Sequence, residues 1–421
     1  MVVSETTKLL QTKILKIFSY LILIRLGLYI PVPNVDLDLF SQNQEINPLF
    51  GLAKNLTGSS FLAIGSLGIL PYINSSIVIQ LLTPVIPFLE QLQKEEGELG
   101  RQQINRYTRY LTLGWALVLS SGTAFFLIKP VVFNWNAILA LKIIFSLTTG
   151  SMLSLWFAEL ITNENLGNGS SLIIFINIIG GLPANFNQFI SGLGNLSIEK
   201  LILSLFVYFL IVILIVLVQD SYKRVNIVSA KQLNFNYTEQ SSYNPKLKKS
   251  YIPIKLNQGG IMPLVFSTTV VTFLIYTLQL FLANILKIDG SQLTGLLTLA
   301  SSVLNLLLVI FFSTFYALLV LKPKDLADNL AKMAYNIPGL KQGKTTTRYL
   351  QKTISRLAFM GGIFLAFLAF FPVLLGNFLK FNIFKNLTSL LILIGVITDV
   401  TSQIKGYLVS QNYENFEKEK K

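Results

Sequence analysis

The chain has 421 residues, of which 52% are hydrophobic and 13% are charged, and its mean hydropathy is positive. A soluble protein of this size carries about a quarter of its residues as charges, so the composition excludes a soluble fold and indicates a chain that lies mostly in lipid. The net charge is +14, which suits an anionic partner. Cys and His are absent. Their absence removes disulfides, thiolate nucleophiles, histidine acid–base catalysis and nearly all zinc or haem sites, so we predict a protein that is not an enzyme, with no catalytic residue, cofactor or metal.

Apolar runs of about 20 residues, the length that crosses a bilayer, recur along the chain. They lie at 14–33, 56–89, 108–128, 137–160, 170–190, 201–219, 261–286, 293–321, 357–379 and 386–408. The first sixteen residues are polar and mildly basic, without a small-residue cleavage site after them, so we expect no cleavable signal or transit peptide. The pattern predicts an all-α integral membrane protein with ten transmembrane helices.

Positive charge marks alternate loops and sets the orientation. The loop between the second and third spans is basic, whereas the loop after the first span is acidic. Two longer loops, 220–256 and 322–356, hold most of the remaining basic residues: Lys223, Arg224, Lys231, Lys246, Lys248, Lys249 and Lys255 in the first, and Lys322, Lys324, Lys332, Lys341, Lys344, Arg348, Lys352 and Arg356 in the second. This bias predicts that both termini are cytoplasmic or, in an organelle, stromal. Anchoring by positive charge explains single lysines, but the clustering favours a docking surface for an anionic partner.

The spacing of the spans suggests five plus five helices in two pseudo-symmetric halves around a central pore. We divide the chain into an N-terminal half with helices 1–6 at 1–219, a docking loop at 220–256, C-terminal helices 7–10 at 257–408 with the second docking loop at 322–356, and a cytosolic tail at 409–421. The two pseudo-symmetric halves are expected to divide near residue 195.

The second apolar run is unusual because Gly58, Gly65 and Gly68 crowd its first half and Pro71 is predicted to break it. Broken backbone is tolerated in a membrane only where it faces protein or a cavity. One interpretation is a Pro-kinked helix. The other is a short half-helix that enters and leaves a central cavity.

Seven motifs in chain order resemble the SecY family, the channel subunits of the Sec protein translocase. They are IRLGLYIPVPNVD (24–36), LGILPYINSSIVIQLL (67–82), KEEGELGRQQINRYTRYLT (94–112), WFAELITNENLGNGSSLIIF (156–175), YIPIKLNQGGIMPLVF (251–266), NIPGLKQGKTTTRYL (336–350) and TSLLILIGVITDV (388–400). The resemblance covers nearly the whole chain. It implies a protein-conducting channel that passes unfolded polypeptides across the membrane and releases hydrophobic segments laterally into lipid.

The resemblance also implies a pore whose waist is a ring of about six aliphatic side chains. The matching positions are Ile69, Ile73, Ser170, Ile174, Val265 and Ile392. An apolar ring makes hydration of the waist costly and forms no strong bond with a passing peptide. Core packing or lipid contact is the alternative for any single isoleucine. Ser170 departs from the aliphatic pattern.

Two further parts of the channel follow from the same resemblance. The plug corresponds to about 56–68, with Gly58, Ser59, Ser60 and Phe61 as its candidate residues. The lateral gate lies between the second, third, seventh and eighth helices. Polar pairs from Gln80 and Thr83 on one side and Asn257 and Thr268 on the other are candidates for holding it closed. Hydrogen bonds with a purely structural role are the rival interpretation.

The resemblance places motor or ribosome docking on the two long loops. The candidate docking residues are Lys223, Arg224, Lys248, Lys249, Lys341, Lys344 and Arg348. Lys341 stands where the family has Arg, which keeps the charge but loses the planar fork. The implied partners are a SecE-type small subunit, a SecG-type subunit, the SecA motor ATPase, a ribosome, the translocating polypeptide and membrane lipid.

A secondary transporter and an intramembrane protease are the alternative functions for a membrane chain of this kind. A secondary transporter for a small solute needs charged residues in mid-membrane; Arg25, Lys142, Glu159 and Asp399 are the few candidates, and most lie near span ends, where their long side chains reach water. An intramembrane protease lacks its histidine and aspartate signatures. Composition favours a plastid-encoded protein of the thylakoid membrane, with a bacterial inner membrane as the alternative.

Overall fold

The computed structural model describes residues 2–33, 63–94, 97–129, 132, 135–193, 198–229, 250–260, 262–285, 290–379 and 387–419. Its helices are α1 (Val2–Gly27), α2 (Leu70–Leu82), α3 (Pro87–Lys94), α4 (Gly97–Gly122), α5 (Ala137–Asn163), α6 (Gly169–Leu193), α7 (Ile198–Asp220), α8 (Met262–Ile285), α9 (Gly290–Leu321), α10 (Pro323–Lys332), α11 (Lys344–Leu379) and α12 (Leu387–Glu419). A π-helical turn, Thr123–Ile128, continues α4.

Each predicted span overlaps a helix. Within the described residues, four helical stretches are long and apolar enough to cross a membrane: Ala137–Asn163, Ala300–Lys332, Lys344–Phe370 and Ser389–Val409. The pair α2 and α3 makes a fifth if it is counted as one broken span. A multi-pass membrane protein follows, while the number ten stays a prediction.

The second predicted span differs from the expectation. Pro71 does not break a helix; it lies in the first turn of α2, after Ile69 as the N-cap residue. Proline suits this position because the first turn has no helical partner for an N–H group. The helix then stops at Leu82 instead of running to 89, and α3 departs from it at 97°. Pro84 follows the end of α2 and cannot continue a helical hydrogen-bond ladder.

The membrane-spanning fold is helical as predicted, but the long loops contain four short strands that were not predicted from the sequence. Strand β1 (Tyr222–Asn226) pairs antiparallel with β3 (Tyr251–Lys255), and β2 (Val228–Ser229) pairs with β4 (Tyr335–Asn336). Along β3 exposed and covered residues alternate, as expected for a strand with one covered face, and Val225 is the buried residue of β1. The second pair joins loop 220–256 to loop 322–356.

The last two long helices extend beyond their predicted spans. Helix α11 begins at Lys344, inside the predicted docking loop, because Leu350, Ile354 and Ala358 give its polar first half one apolar face that packs inward. Helix α12 runs through most of the predicted tail to Glu419.

The chain forms two compact units by contact. Unit 1 is Met1–Gly194 with Ile392–Lys421, and unit 2 is Asn195–Leu391. In unit 1 an apolar cluster joins α5 and the π-helical turn to Val32 and Leu67. In unit 2, α9 packs along α11 and against α8, and a second cluster lies beneath the β1–β3 ribbon. The pseudo-symmetry of the two predicted halves stays a prediction.

Candidate channel waist and docking surface

Four of the predicted ring residues lie in two pairs, each one helical turn apart, in unit 1. Ile69 and Ile73 stand at the start of α2, where the Ile73 amide donates to the Ile69 carbonyl at 3.1 Å. Ser170 and Ile174 stand at the start of α6. All four side chains are at most 6% exposed, so each pair forms a buried stripe on its helix.

The starts of these two helices are close in space. A Cβ atom on Gly68, the residue before Ile69, would lie 3.8 Å from the side-chain nitrogen of Asn177, one turn beyond Ile174. Gly68 has φ +49°, a conformation that favours glycine. The structure therefore brings the Ile69 end of α2 beside α6.

The two remaining ring positions are also buried. Ile392 lies in α12 of unit 1 at 4% exposure, and Val265 lies in α8 of unit 2 at 2%. Burial is common to all six predicted residues, and it is what either a closed ring or simple core packing requires. Their assignment to the pore stays a prediction.

The segment 63–68, which leads into α2, is fixed between α1 and α5. The Ile64 amide donates to the Ile30 carbonyl at 3.0 Å, and the Gly65 amide donates to the Gly27 carbonyl at 3.2 Å. On the other side Gly150 of α5 touches the Ile64 backbone so closely that a Cβ there would lie 1.9 Å from the Ile64 oxygen. Because Gly150 has no side chain, the backbone of segment 63–68 packs directly against α5 here. We call this contact the Gly150 notch. The glycine content of the sequence did not predict this packing contact.

The start of α6 is held by a side chain from the end of α5 and by one from the turn between the two helices. Thr162 Oγ1 accepts the Gly169 amide at 2.9 Å. Asn168 Oδ1 accepts both the Ser170 amide at 3.1 Å and the Ser170 hydroxyl at 2.7 Å. The one polar member of the predicted ring therefore has its hydroxyl proton engaged by a neighbouring side chain.

The candidate plug residues Gly58, Ser59, Ser60 and Phe61 lie outside the described residues. The four candidate gate residues are described. Thr83 Oγ1 donates to the Ile79 carbonyl at 2.7 Å, and Gln80 Nε2 donates to Ser76 Oγ at 3.1 Å.

In unit 2, Thr268 Oγ1 donates to the Val265 carbonyl at 2.9 Å. Asn257 is buried, and its Oδ1 has no hydrogen-bond partner. The threonines of both units thus bond within their own helices, whereas Asn257 keeps an unused acceptor.

The two predicted docking loops fold together on one apolar cluster in unit 2. Loop 220–256 contributes Val225 and Ile254 from the covered face of the ribbon. Loop 322–356 and the neighbouring helices contribute the rest: Ala317, Ala327, Leu330, Ile337, Leu350, Ile354 and Ala358. The basic residues therefore stand on a packed scaffold rather than on independent loops.

The uncovered face of the ribbon carries an aromatic and cationic group. Tyr222 and Tyr251 stack with ring centroids 6.4 Å apart. The Arg224 guanidinium lies 5.5 Å and 5.1 Å from the two centroids and donates to the Tyr222 hydroxyl at 3.2 Å. This hydrogen bond lowers the pKa of Tyr222, because it favours the phenolate. The sequence prediction included Arg224 but missed both tyrosines, although Tyr-x-Arg and Tyr-x-Pro-x-Lys alternate as strands do.

The second docking motif is a tight loop between β4 and α11. Gly339 and Gly343 have φ of +79° and +92°, and the Thr346 hydroxyl donates to the Lys341 carbonyl at 2.9 Å. The side chains of Lys341, Lys344 and Arg348 are exposed here, as are Lys223 and Arg224 on the ribbon. Lys248 and Lys249 lie outside the described residues.

The ionisable residues weighed for a transporter do not form a common site. Glu159 accepts from Arg109 Nε at 2.7 Å, while Lys142 and Asp399 are exposed. The Arg25 guanidinium lies against Gly180 of α6, where a Cβ would be 2.1 Å away, and its Nη1 is buried without a hydrogen-bond partner. Among the described residues, no group of acidic side chains could hold a metal ion.

Known proteins resemble this chain along nearly its whole length. The SecY family profile matches residues 63–401. A protein translocase subunit SecY of Emiliania huxleyi is 61% identical over 416 residues, which cover 98% of this chain and 99% of that protein. The SecY subunit of a Synechocystis strain is 38% identical over 426 residues, covering 97% and 95%.

Solved structures share the fold. The structure described as that of a protein conducting channel aligns with a TM-score of 0.60 at 14% identity, over 92% of this chain and 91% of that one. Helices with buried apolar stripes and a basic extramembrane scaffold thus define a membrane protein with the fold of protein-conducting channels. The chain belongs to the SecY family, the channel subunits of protein translocases. The predicted function, a protein-conducting translocon channel, is confirmed, and the transporter alternative falls.

Proposed function

We propose that polypeptides cross the membrane through a waist lined by Ile69, Ile73, Ser170, Ile174, Val265 and Ile392, at the centre of ten transmembrane helices in two pseudo-symmetric halves. The observation that carries this proposal is the pair of buried stripes at the starts of α2 and α6. Apolar side chains meeting at a narrow point exclude water at rest. They also separate without breaking hydrogen bonds when a chain enters.

Crosslinking of an arrested chain tests this waist. The protein has no cysteine of its own, so a single substitution gives a unique attachment point. A secretory chain arrested in transit should form a disulfide with Ile174→Cys and with Ile69→Cys. The matched control is Phe145→Cys on α5, whose side chain is 61% exposed on the outer surface of the helix, and it should give none. Equal crosslinking at Phe145 and Ile174 would refute the waist.

We propose further that the channel opens sideways between its second, third, seventh and eighth helices, with Gln80, Thr83, Asn257 and Thr268 along the seam. Hydrogen bonds between membrane helices contribute about 1 kcal/mol, which suits a seam that opens. The unused acceptor of buried Asn257 supports the proposal, because a polar partner elsewhere would satisfy it. Asn257→Leu should alter the release of hydrophobic segments into lipid while leaving secretion of soluble chains unchanged, measured on paired substrates.

Docking of an anionic partner is proposed for the scaffold that carries Lys223, Arg224, Lys341, Lys344 and Arg348. Their exposure on a packed base gives a partner fixed charges to meet. The SecA motor and a ribosome are the proposed partners, with SecE-type and SecG-type subunits beside the channel. Replacing Lys344 and Arg348 by Glu should weaken motor binding at low salt, measured by co-sedimentation with vesicles.

We place the protein in the thylakoid membrane with both termini in the stroma. The proposal rests on composition, on the positive charge of alternate loops, and on the similarity to SecY subunits of algae and cyanobacteria. Protease treatment of isolated thylakoids should remove an epitope at either terminus. Protection of either epitope by the intact membrane would refute the orientation.

A further inference from the structure

Ser170, the polar member of the proposed waist, is hydrogen-bonded to the side chain that caps its helix. Ser170 is 4% exposed, and its hydroxyl donates to Asn168 Oδ1 at 2.7 Å. The Ser170 amide donates to the same oxygen at 3.1 Å. One side-chain oxygen thus caps the helix and engages the hydroxyl proton of Ser170.

The neighbouring backbone amides donate to other acceptors, so the Asn168 Oδ1 atom is available to Ser170. The Gly169 amide is taken by Thr162 Oγ1 at 2.9 Å, and the Leu172 amide by the Asn168 backbone carbonyl at 3.1 Å. Gly169 itself is pressed onto α5, since a Cβ there would lie 1.9 Å from the Ala158 oxygen. The turn before α6 is therefore fixed in place, and with it the direction of the Asn168 side chain.

We propose that Asn168 is a positioning residue that seals the waist by keeping the Ser170 hydroxyl occupied; this rests on the proposed place of Ser170 in the ring. A water molecule persists in a buried space only if it finds two to four polar partners. The other five ring residues are aliphatic and offer none. When the Ser170 hydroxyl donates to Asn168, it can offer water only an acceptor. A hydroxyl without this bond offers water both a donor and an acceptor, and would allow water to enter the waist.

The test is ion leak through the resting translocon complex in vesicles, followed as halide efflux without substrate. Asn168→Ala should raise the leak about five- to tenfold, the effect of freeing one buried hydroxyl from a hydrogen bond. Ser170→Ala should stay as tight as the natural protein, because it removes the hydroxyl.

The double variant Asn168→Ala/Ser170→Ala separates sealing from capping. Both it and Asn168→Ala lose the cap and should melt at similarly lowered temperatures, but only the single variant should leak. A double variant that leaks as much as Asn168→Ala, or a single variant that stays tight, overturns the proposal.

The premise is checked by crosslinking an arrested chain to Ser170→Cys. Crosslinking at Ile174→Cys but not at Ser170→Cys would show that the ring exists without position 170, which removes Asn168 from it. No crosslinking at either position would instead refute the waist itself.

Discussion

Gly150→Ala offers the sharpest test of how the proposed channel waist is held in position. The added methyl would lie 1.9 Å from the Ile64 oxygen and 2.6 Å from the Ile64 carbonyl carbon. Carbon and carbonyl oxygen approach each other to about 3.3 Å, so the segment would need to move by about 1.4 Å. Both contacts are with backbone, which cannot rotate away as a flexible side chain would.

The cost of that movement follows from the bonds it strains. Overpacking costs about 1–3 kcal/mol, and the two backbone hydrogen bonds that tie Ile64 and Gly65 to the end of α1 contribute about 1 kcal/mol each. Alanine returns about 1 kcal/mol of helix propensity in α5. The net loss of stability should be about 2–4 kcal/mol. Ile69, at the end of the displaced segment, should move out of its packed position.

Two measurements on the purified complex test this expectation. Thermal unfolding in detergent should show the loss of stability, and halide efflux from vesicles should show a leaking resting channel. The matched control is Gly114→Ala in α4, where a Cβ meets nothing within 4 Å and stability should stay equal or rise slightly. If Gly150→Ala is as stable and as tight as Gly114→Ala, the notch does not hold the waist.

Three other predictions concern contacts away from the waist. Gly180→Ala should destabilise unit 1 much less than Gly150→Ala, because its Cβ would meet, at 2.1 Å, the guanidinium end of the flexible Arg25 side chain, which can rotate away; a loss in thermal melts as large as that of Gly150→Ala would contradict this reasoning. Ile254→Ala should cost about 2–5 kcal/mol by leaving a cavity in the cluster under the ribbon; limited proteolysis should then cut within 220–256 sooner than in the natural protein, and an unchanged cutting rate would count against it. Arg224→Gln should raise the pKa of Tyr222, because the hydrogen bond that lowers it is weakened; the tyrosinate absorbance lost on Tyr222→Phe should then appear at higher pH, and an unshifted titration would refute the assignment.

Much of the helical framework was predictable because membrane helices need long apolar runs, and those runs are visible without any partner. The details that failed depend on contacts. Pro71 is compatible with a kink or with a first turn, and only the packing of Ile64 and Gly65 on α1 decides that α2 starts there. The ribbon strands were missed because two short segments some 25 residues apart reveal themselves only when paired.

The ring came from resemblance to a family, since one isoleucine in an apolar helix is not distinguishable from the next. What holds the ring could not be found that way. The Gly150 notch requires knowing which backbone approaches α5, and the role proposed for Asn168 requires the rotamer of Ser170. Glycine is frequent in membrane helices and asparagine in turns, so Gly150 and Asn168 carried no signal of these contacts.

The length of α11 has a mechanical consequence. Its 36 residues span about 54 Å at 1.5 Å per residue, whereas the hydrocarbon core of a bilayer is about 30 Å thick. Lys344 and Arg348 stand in its first turns, and no proline interrupts the hydrogen-bonded ladder until Pro372, well past the middle of the helix. A helix is stiff over this distance, so a thrust or torque applied at those two side chains reaches the bilayer interior as rigid-body tilt. If the proposed motor binds Lys344 and Arg348, it could tilt the membrane-spanning part of α11 without any contact inside the bilayer.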